Sequence, residues 1–268
     1  MAPSTSADPR LDVSAALRDG WTAFRRAPWV LSGFLLVVLV LNLALQTLQN
    51  ALSTVVTDQT PIVLLASLLC VFASWILNFW SALGLVRGAW ITLEGRKPTV
   101  LELVRWDGPA IGRVVLANLL LGLVLTLIAL PLLWLLVGAL DQLLDFDFSM
   151  GGPMLRSVTP TPAVVIRLIL TSLALVGVFT YAQVNQHFLV QLASLRGSGA
   201  WQTLREGQRV VDRQWWPTLG LVALETVLFL AGLLALVLGL FVAVPVIFCV
   251  STAAYRQLFA AEGPALPG

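Results

Sequence analysis

The chain is 268 residues long, 58% hydrophobic and only 11% charged, with a net charge of +2 and a mean hydropathy of +0.90. A soluble domain carries about 25% charged residues, so this composition excludes a water-soluble core in a polar shell. The small net charge excludes nucleic-acid binding through overall charge.

The basic, aromatic stretch Ala15–Trp29 leads into the first apolar run, and the first 28 residues are expected to stay in the cytoplasm. The apolar run begins only at Trp29, and it is too long for the core of a cleaved signal peptide. Six apolar segments then follow within 29–260, close to the roughly 20 residues that cross a bilayer: Trp29–Gln49, Pro61–Val86, Val114–Leu140, Ala163–Leu192, 218–236 and 240–258. These runs are continuously apolar, which excludes the alternating pattern of a membrane β-barrel. The last two form one apolar region that would be about 60 Å long as a single helix, twice the hydrocarbon thickness. It must therefore fold back, and Gly239 places the expected turn near Leu236–Leu240. Residues 261–268 are a short tail. Cys70 and Cys249 lie inside apolar runs without a CxxC spacing, and the single histidine, His187, excludes a His-rich metal site.

Basic residues favour cytoplasmic loops. With the N-terminus inside and six spans, every Lys and Arg except Arg156 and Arg167 falls on the cytoplasmic side. A five-span alternative misplaces only Arg256, so the length of the last region is what brings the C-terminus back inside. Trp21, Trp29, Trp90, Trp106, Trp201, Trp215 and Trp216 fall at the same interface, where amphipathic rings favour the headgroups.

The loops repeat. Leu17-Arg18-Asp19-Gly20 matches Leu204-Arg205-Glu206-Gly207, and at the same offset Arg26 meets Arg213 and Gly33 meets Gly220. Asp107-Gly108 followed by Arg113 is a fainter middle copy. Each copy begins with a helical-period segment: Val13, Leu17, Trp21 and Phe24 on one face, then Val100–Val104, then Trp201, Leu204, Val211 and Trp215. Each pair of spans exits through a charged-Gly step: Glu94-Gly95, Arg196-Gly197 and Glu262-Gly263. The expected fold is an all-α polytopic bundle of six transmembrane helices in three parallel hairpins. A short cytoplasmic amphipathic helix precedes each hairpin and lies in the interface.

The stretches GWTAFRRAPWVLSG, LEGRKPTVLELV, AWQTLREGQRVVDRQWWPTLGL and VAVPVIFCVSTAAYRQL resemble the multi-pass bacterial families of the YciC type. They are also similar to the membrane domain fused to some glycerophosphodiester phosphodiesterases. The resemblance implies a six-helix integral membrane fold; with the orientation read from the basic residues, the expected location is the bacterial inner membrane with both termini cytoplasmic. It carries over no reaction and no catalytic residue, and the phosphodiesterase domain is absent.

Ionisable groups inside hydrocarbon are functional candidates. Glu225 lies about 12 Å into the fifth span. At similar depth lie Asn78, Asn118 and the stripe Gln183, His187 and Gln191, spaced to share one helical face. These six residues are either a hydrated proton- or ligand-binding cluster or interhelical hydrogen bonds. Arg167 pairs with Asn42, Gln46 and Gln49, pairs with Asp141 and Asp145, or snorkels to headgroups. The loop 141–162, with Asp145 and Asp147 beside Phe146 and Phe148, reads as a solvated acidic loop rather than a cation site.

No HExxH, GxSxG, Walker A or dinucleotide fingerprint is present. The expectation is a non-catalytic membrane-organising or partner-docking protein without a cofactor. Its partners would be anionic lipids, touched by Arg18, Arg25, Arg26, Arg205, Arg209 and Arg213, and an unidentified membrane or cytoplasmic protein. The alternative is a small-solute or proton-coupled transporter or channel that uses the polar cluster around Glu225 and His187.

Overall fold

The computed structural model describes residues 10–55, 61–143, 146–147, 154–155, 161–196 and 199–259. Its helices, in chain order, are α1 (Val13–Arg26), α2 (Pro28–Val55), α3 (Pro61–Leu93), α4 (Val100–Val104) and α5 (Gly108–Leu143). They continue as α6 (Pro162–Asn185), α7 (Leu189–Leu195), α8 (Ala200–Arg213), α9 (Trp215–Leu234) and α10 (Leu236–Phe259). Six stretches are long and apolar enough to cross a bilayer, the signature of a multi-pass membrane protein. A two-residue antiparallel pairing joins Phe146–Asp147 (β1) to Met154–Leu155 (β2), with Phe146 opposite Leu155. Within the loop 141–162, residues 144–145, 148–153 and 156–160 lie outside the described set, Asp145, Phe148 and Arg156 among them, as do the exit glycines Gly197 and Gly263; residues 141–143 end α5.

The chain divides into two compact units. One holds residues 1–117 and 187–268, the other residues 118–186. The second unit contains most of α5, the β pairing and α6; α5 continues as helix through Pro131.

In the first unit α10 is the central helix. Its most apolar stretch is 56% buried, against 17% for that of α2 and 22% for that of α9. It packs against α1, α9, α3 and α2. Small residues make this possible, because lipid is as apolar as leucine and helices associate where backbones can approach closely. Ala16, Gly20 and Ala23 form the buried side of α1 together with Phe24. A Cβ on Gly20 would stand 2.6 Å from the Val250 Cα, so the glycine is required by the crossing itself. Val13 and Leu17 are only partly buried and Trp21 is exposed. Of the apolar stripe read from the sequence only Phe24 docks; the side that packs is made mainly by Ala16, Gly20 and Ala23. A second cluster (Leu83, Ala110, Ile111, Val114 and Ala193) binds α3, the start of α5 and α7 together.

Three expected boundaries move. The fold-back between the last spans falls at Ala235, not at Leu236–Leu240. Gly239 sits inside α10, where it meets the backbone of Gly232 on α9; it serves the close crossing rather than the turn. The fourth span is not one helix over 163–192: α6 ends at Asn185, Gln186–Phe188 form a turn, and α7 follows. The middle copy of the repeat also differs. Asp19-Gly20 and Glu206-Gly207 lie inside α1 and α8, whereas Asp107-Gly108 begins a span, with Asp107 Oδ1 accepting the Ala110 amide at 3.0 Å. The first and third copies do correspond. The offset that aligns Leu17 with Leu204 also aligns the first residue of α1 with that of α8, and the first residue of α2 with that of α9.

Candidate functional site

His187 lies in the turn that breaks the fourth span, and Glu225 lies near the middle of α9. The His187 Nε2 is 3.3 Å from Glu225 Oε2, with side-chain exposures of 15% and 9%. The imidazole stands edge-on to Phe188, with ring centres 4.9 Å apart. The contact is off line for a hydrogen bond, and among the described residues His187 Nε2 and Glu225 Oε1 find no hydrogen-bond partner. One turn further, Gln191 Nε2 donates to Ser251 Oγ of α10 at 3.0 Å. Ser251 had no sequence signal beyond being a hydroxyl in an apolar run.

Two contacts of the expected polar residues lie inside the first unit. His187 meets Glu225, and Gln191 meets Ser251. Asn78 is exposed and donates back to the Ser74 carbonyl of its own helix at 2.7 Å. Gln183 and Asn118 belong to the second unit. The break at Gln186–Phe188 ends the common helical face assumed for Gln183, His187 and Gln191. Arg167, also in the second unit, is exposed on α6, and the Asn42 amide of α2 donates to its own helix at Val38.

The charged residues gather around the short helices. Arg87 of α3 pairs with Asp107 at 3.0 Å and donates to the Arg105 carbonyl. Arg196 pairs with Glu206 of α8 at 3.5 Å, and Arg113 donates to the Ala193 carbonyl. On α4, Thr99 and Glu102 form a reciprocal capping box, and Trp80 of α3 donates to the Val104 carbonyl. The Thr99 amide, then its hydroxyl, hold the Glu102 carboxyl below the usual range. Glycine ends α3: Gly95 takes a φ of +89°, and the Gly95 and Arg96 amides reach back to Thr92 and Ile91, which satisfies two terminal carbonyls.

Arg18, Arg25 and Arg26 of α1 and Arg205, Arg209 and Arg213 of α8 are all exposed. Beside them stand exposed tryptophans: Trp29 at 87%, Trp216 at 76%, and also Trp21 and Trp201. The Arg205 guanidinium lies 5.0 Å over the Trp201 ring. Arg26 differs from its neighbours, because its Nη1 donates to the Thr92 carbonyl at 2.6 Å.

Two pockets open in this region of the first unit. The larger, about 400 Å³, is lined by α1, the end of α3 and the end of α10, with Asp19, Arg26 and Arg256 contributing charge. The smaller, about 160 Å³, lies over Arg87, Arg96, Glu102, Arg105 and Asp107. Arg256 packs on Trp90, 5.4 Å from its ring centre. Neither pocket includes the residues of the His187–Glu225 pair. No family model, curated protein or solved structure matches the chain.

Proposed function

We propose that the chain is a non-catalytic, membrane-organising or partner-docking protein of the YciC type, resident in the bacterial inner membrane. In this reading α1, α4 and α8 lie at the cytoplasmic headgroup level, one before each of three hairpins, and contact anionic lipid. The observation that carries it is the pairing of exposed arginine with exposed tryptophan, seen most directly in Arg205 over Trp201. Tryptophan favours the interface and arginine favours anionic headgroups. Buried polar groups act mainly as interhelical links, as Gln191 with Ser251 does.

The test uses the full chain in mixed bilayers with spin-labelled phosphatidylglycerol or phosphatidylcholine. Phosphatidylglycerol should be enriched in the motionally restricted shell, and less so as salt rises. Replacing Arg18, Arg25, Arg205 and Arg209 by Gln should remove most of that preference. An undiminished preference in the quadruple variant would sink the lipid-contact reading.

One observation favours a second reading. His187 and Glu225 form an ionisable pair inside the bundle, the kind of group a proton-coupled transporter uses. Solute-driven proton flux in proteoliposomes that disappears in Glu225→Gln would replace the first reading with this one. On the first reading no such flux is measured, and Glu225→Gln leaves lipid selectivity unchanged.

A further inference from the structure

The larger pocket holds charges of both signs that do not neutralise one another. In the smaller pocket Arg87 is paired with Asp107, and Arg96 approaches Glu94 and Glu102. In the larger one, among the described residues, Asp19, Arg26 and Arg256 form no ion pair. Arg26 is anchored on the Thr92 carbonyl and Arg256 on the face of Trp90, so both guanidinium groups are positioned without a carboxylate. Gln257 has its Oε1 occupied by the Asp12 amide at 2.8 Å, which leaves its Nε2 as a donor. The Thr22 hydroxyl spends its proton on the Arg18 carbonyl and offers only an acceptor. On α1, Asp19, Thr22 and Arg26 follow one helical face, with Asp19 and Arg26 about 10 Å apart along the axis. The C-terminal ends of α1, α3 and α10 meet here, and helix C-termini favour a cation.

We propose that this pocket binds a zwitterionic phospho-amine, a phosphate ester carrying a primary ammonium, as in the phosphatidylethanolamine headgroup. Arg26, Arg256 and the Gln257 amide hold the phosphate oxygens. Asp19, the Thr22 oxygen and the negative helix ends hold the ammonium. Guanidinium forks suit phosphate geometry, and a volume of about 400 Å³ accommodates the whole headgroup. The proposal rests on the reading that this end of the helices lies among headgroups, but it concerns a different lipid class from the surface arginines.

The full chain, delipidated in detergent, is titrated with short-chain phosphatidylethanolamine, phosphatidylcholine and phosphatidylglycerol, and with soluble phosphoethanolamine. Binding is read by native mass spectrometry and thermal shift. Phosphatidylethanolamine should bind more tightly than phosphatidylcholine, whose quaternary ammonium cannot donate hydrogen bonds to Asp19. Asp19→Asn should weaken phosphatidylethanolamine binding by about tenfold, the scale of one charge-assisted hydrogen bond, without weakening phosphatidylglycerol. Asp19 is exposed with no partner among the described residues, so that variant should fold. The double variant Arg26→Gln, Arg256→Gln should lose phosphatidylethanolamine binding and keep the phosphatidylglycerol held by Arg205 and Arg209, and Arg26→Lys with Arg256→Lys, which keeps the charge, checks that the loss is not unfolding. Soluble phosphoethanolamine binding as tightly as the lipid would support the site chemistry and name a soluble source. Equal affinity for phosphatidylethanolamine and phosphatidylcholine, or no change in Asp19→Asn, overturns the proposal. Arg205→Gln with Arg209→Gln separates the two ideas: it should lower phosphatidylglycerol binding and leave phosphatidylethanolamine binding intact.

Discussion

At the scale of single residues, size rather than polarity decides which side of a membrane helix meets protein. Gly20 shows this most sharply, because an added Cβ would collide with the Val250 backbone, not with a movable side-chain end. Overpacking costs about 1–3 kcal/mol, while alanine regains at most about 1 kcal/mol of helix propensity. Gly20→Ala should therefore lower the unfolding midpoint in detergent by separating α1 from α10. Gly33→Ala is the matched control, since nothing stands within 4 Å of its Cβ position; it should be neutral or slightly stabilising in the same assay. The repeat marked Gly20 as special, but the docking side of α1 stayed hidden. An apolar stripe of Val13, Leu17 and Trp21 is what a helix shows to lipid as well as to protein, so hydrophobic periodicity carries no inward direction here. The same loss of contrast hid Ser251 and the pocket residue Gln257.

At the scale of elements, end chemistry fixes where the short helices begin. Asp12 caps α1 by accepting the Ser14 and Ala15 amides and the Ser14 hydroxyl. The Ala15 amide is the largest influence and the Ser14 hydroxyl the next, and together they hold the carboxyl below its ordinary value. The ionised form is thus favoured by folding. Its contribution is complete above the usual aspartate pKa of about 3.9 and is lost as pH falls through the lowered folded value. Unfolding midpoints of wild type and Asp12→Asn should therefore differ at neutral pH and converge as the pH falls through the lowered folded value. A gap that stays constant with pH would show that the charge plays no part. For α4, Thr99→Ala removes the capping box and should cost about 1 kcal/mol locally, seen as faster hydrogen exchange at Leu103. The segment Val100–Val104 was readable as a copy of the repeat, whereas its capping box of Thr99 and Glu102 emerges only in the structure. The break at Gln186–Phe188 was not, because neither glycine nor proline marks it. Gly239 misled in the opposite sense: a glycine beside a required turn looked like its cause, yet the chain turns at Ala235 and uses Gly239 for contact with Gly232.

For the whole molecule, the number of spans and the rhyme between its first and last thirds were legible from length and offset alone. The side on which the chain ends was less so, because Arg256 was the single charge opposing a five-span topology. The structure supplies a covalently distant link that bears on the choice. The Asp12 amide donates to Gln257 Oε1, and Arg26, Leu93 and Arg256 line one pocket. The start of α1, the end of α3 and the end of α10 are therefore at one level of the first unit. A five-span chain would put the end of α10 across the bilayer from α1 and break every one of these contacts. Topology reporters placed after Lys97 and after Phe259 should accordingly report the same side, and a reporter after Asp141 the opposite one. On the proposed orientation, which rests on the distribution of basic residues, the first pair is cytoplasmic. Agreement between Phe259 and Asp141 would overturn the six-span chain, and with it the shared wall of the Arg26–Arg256 pocket.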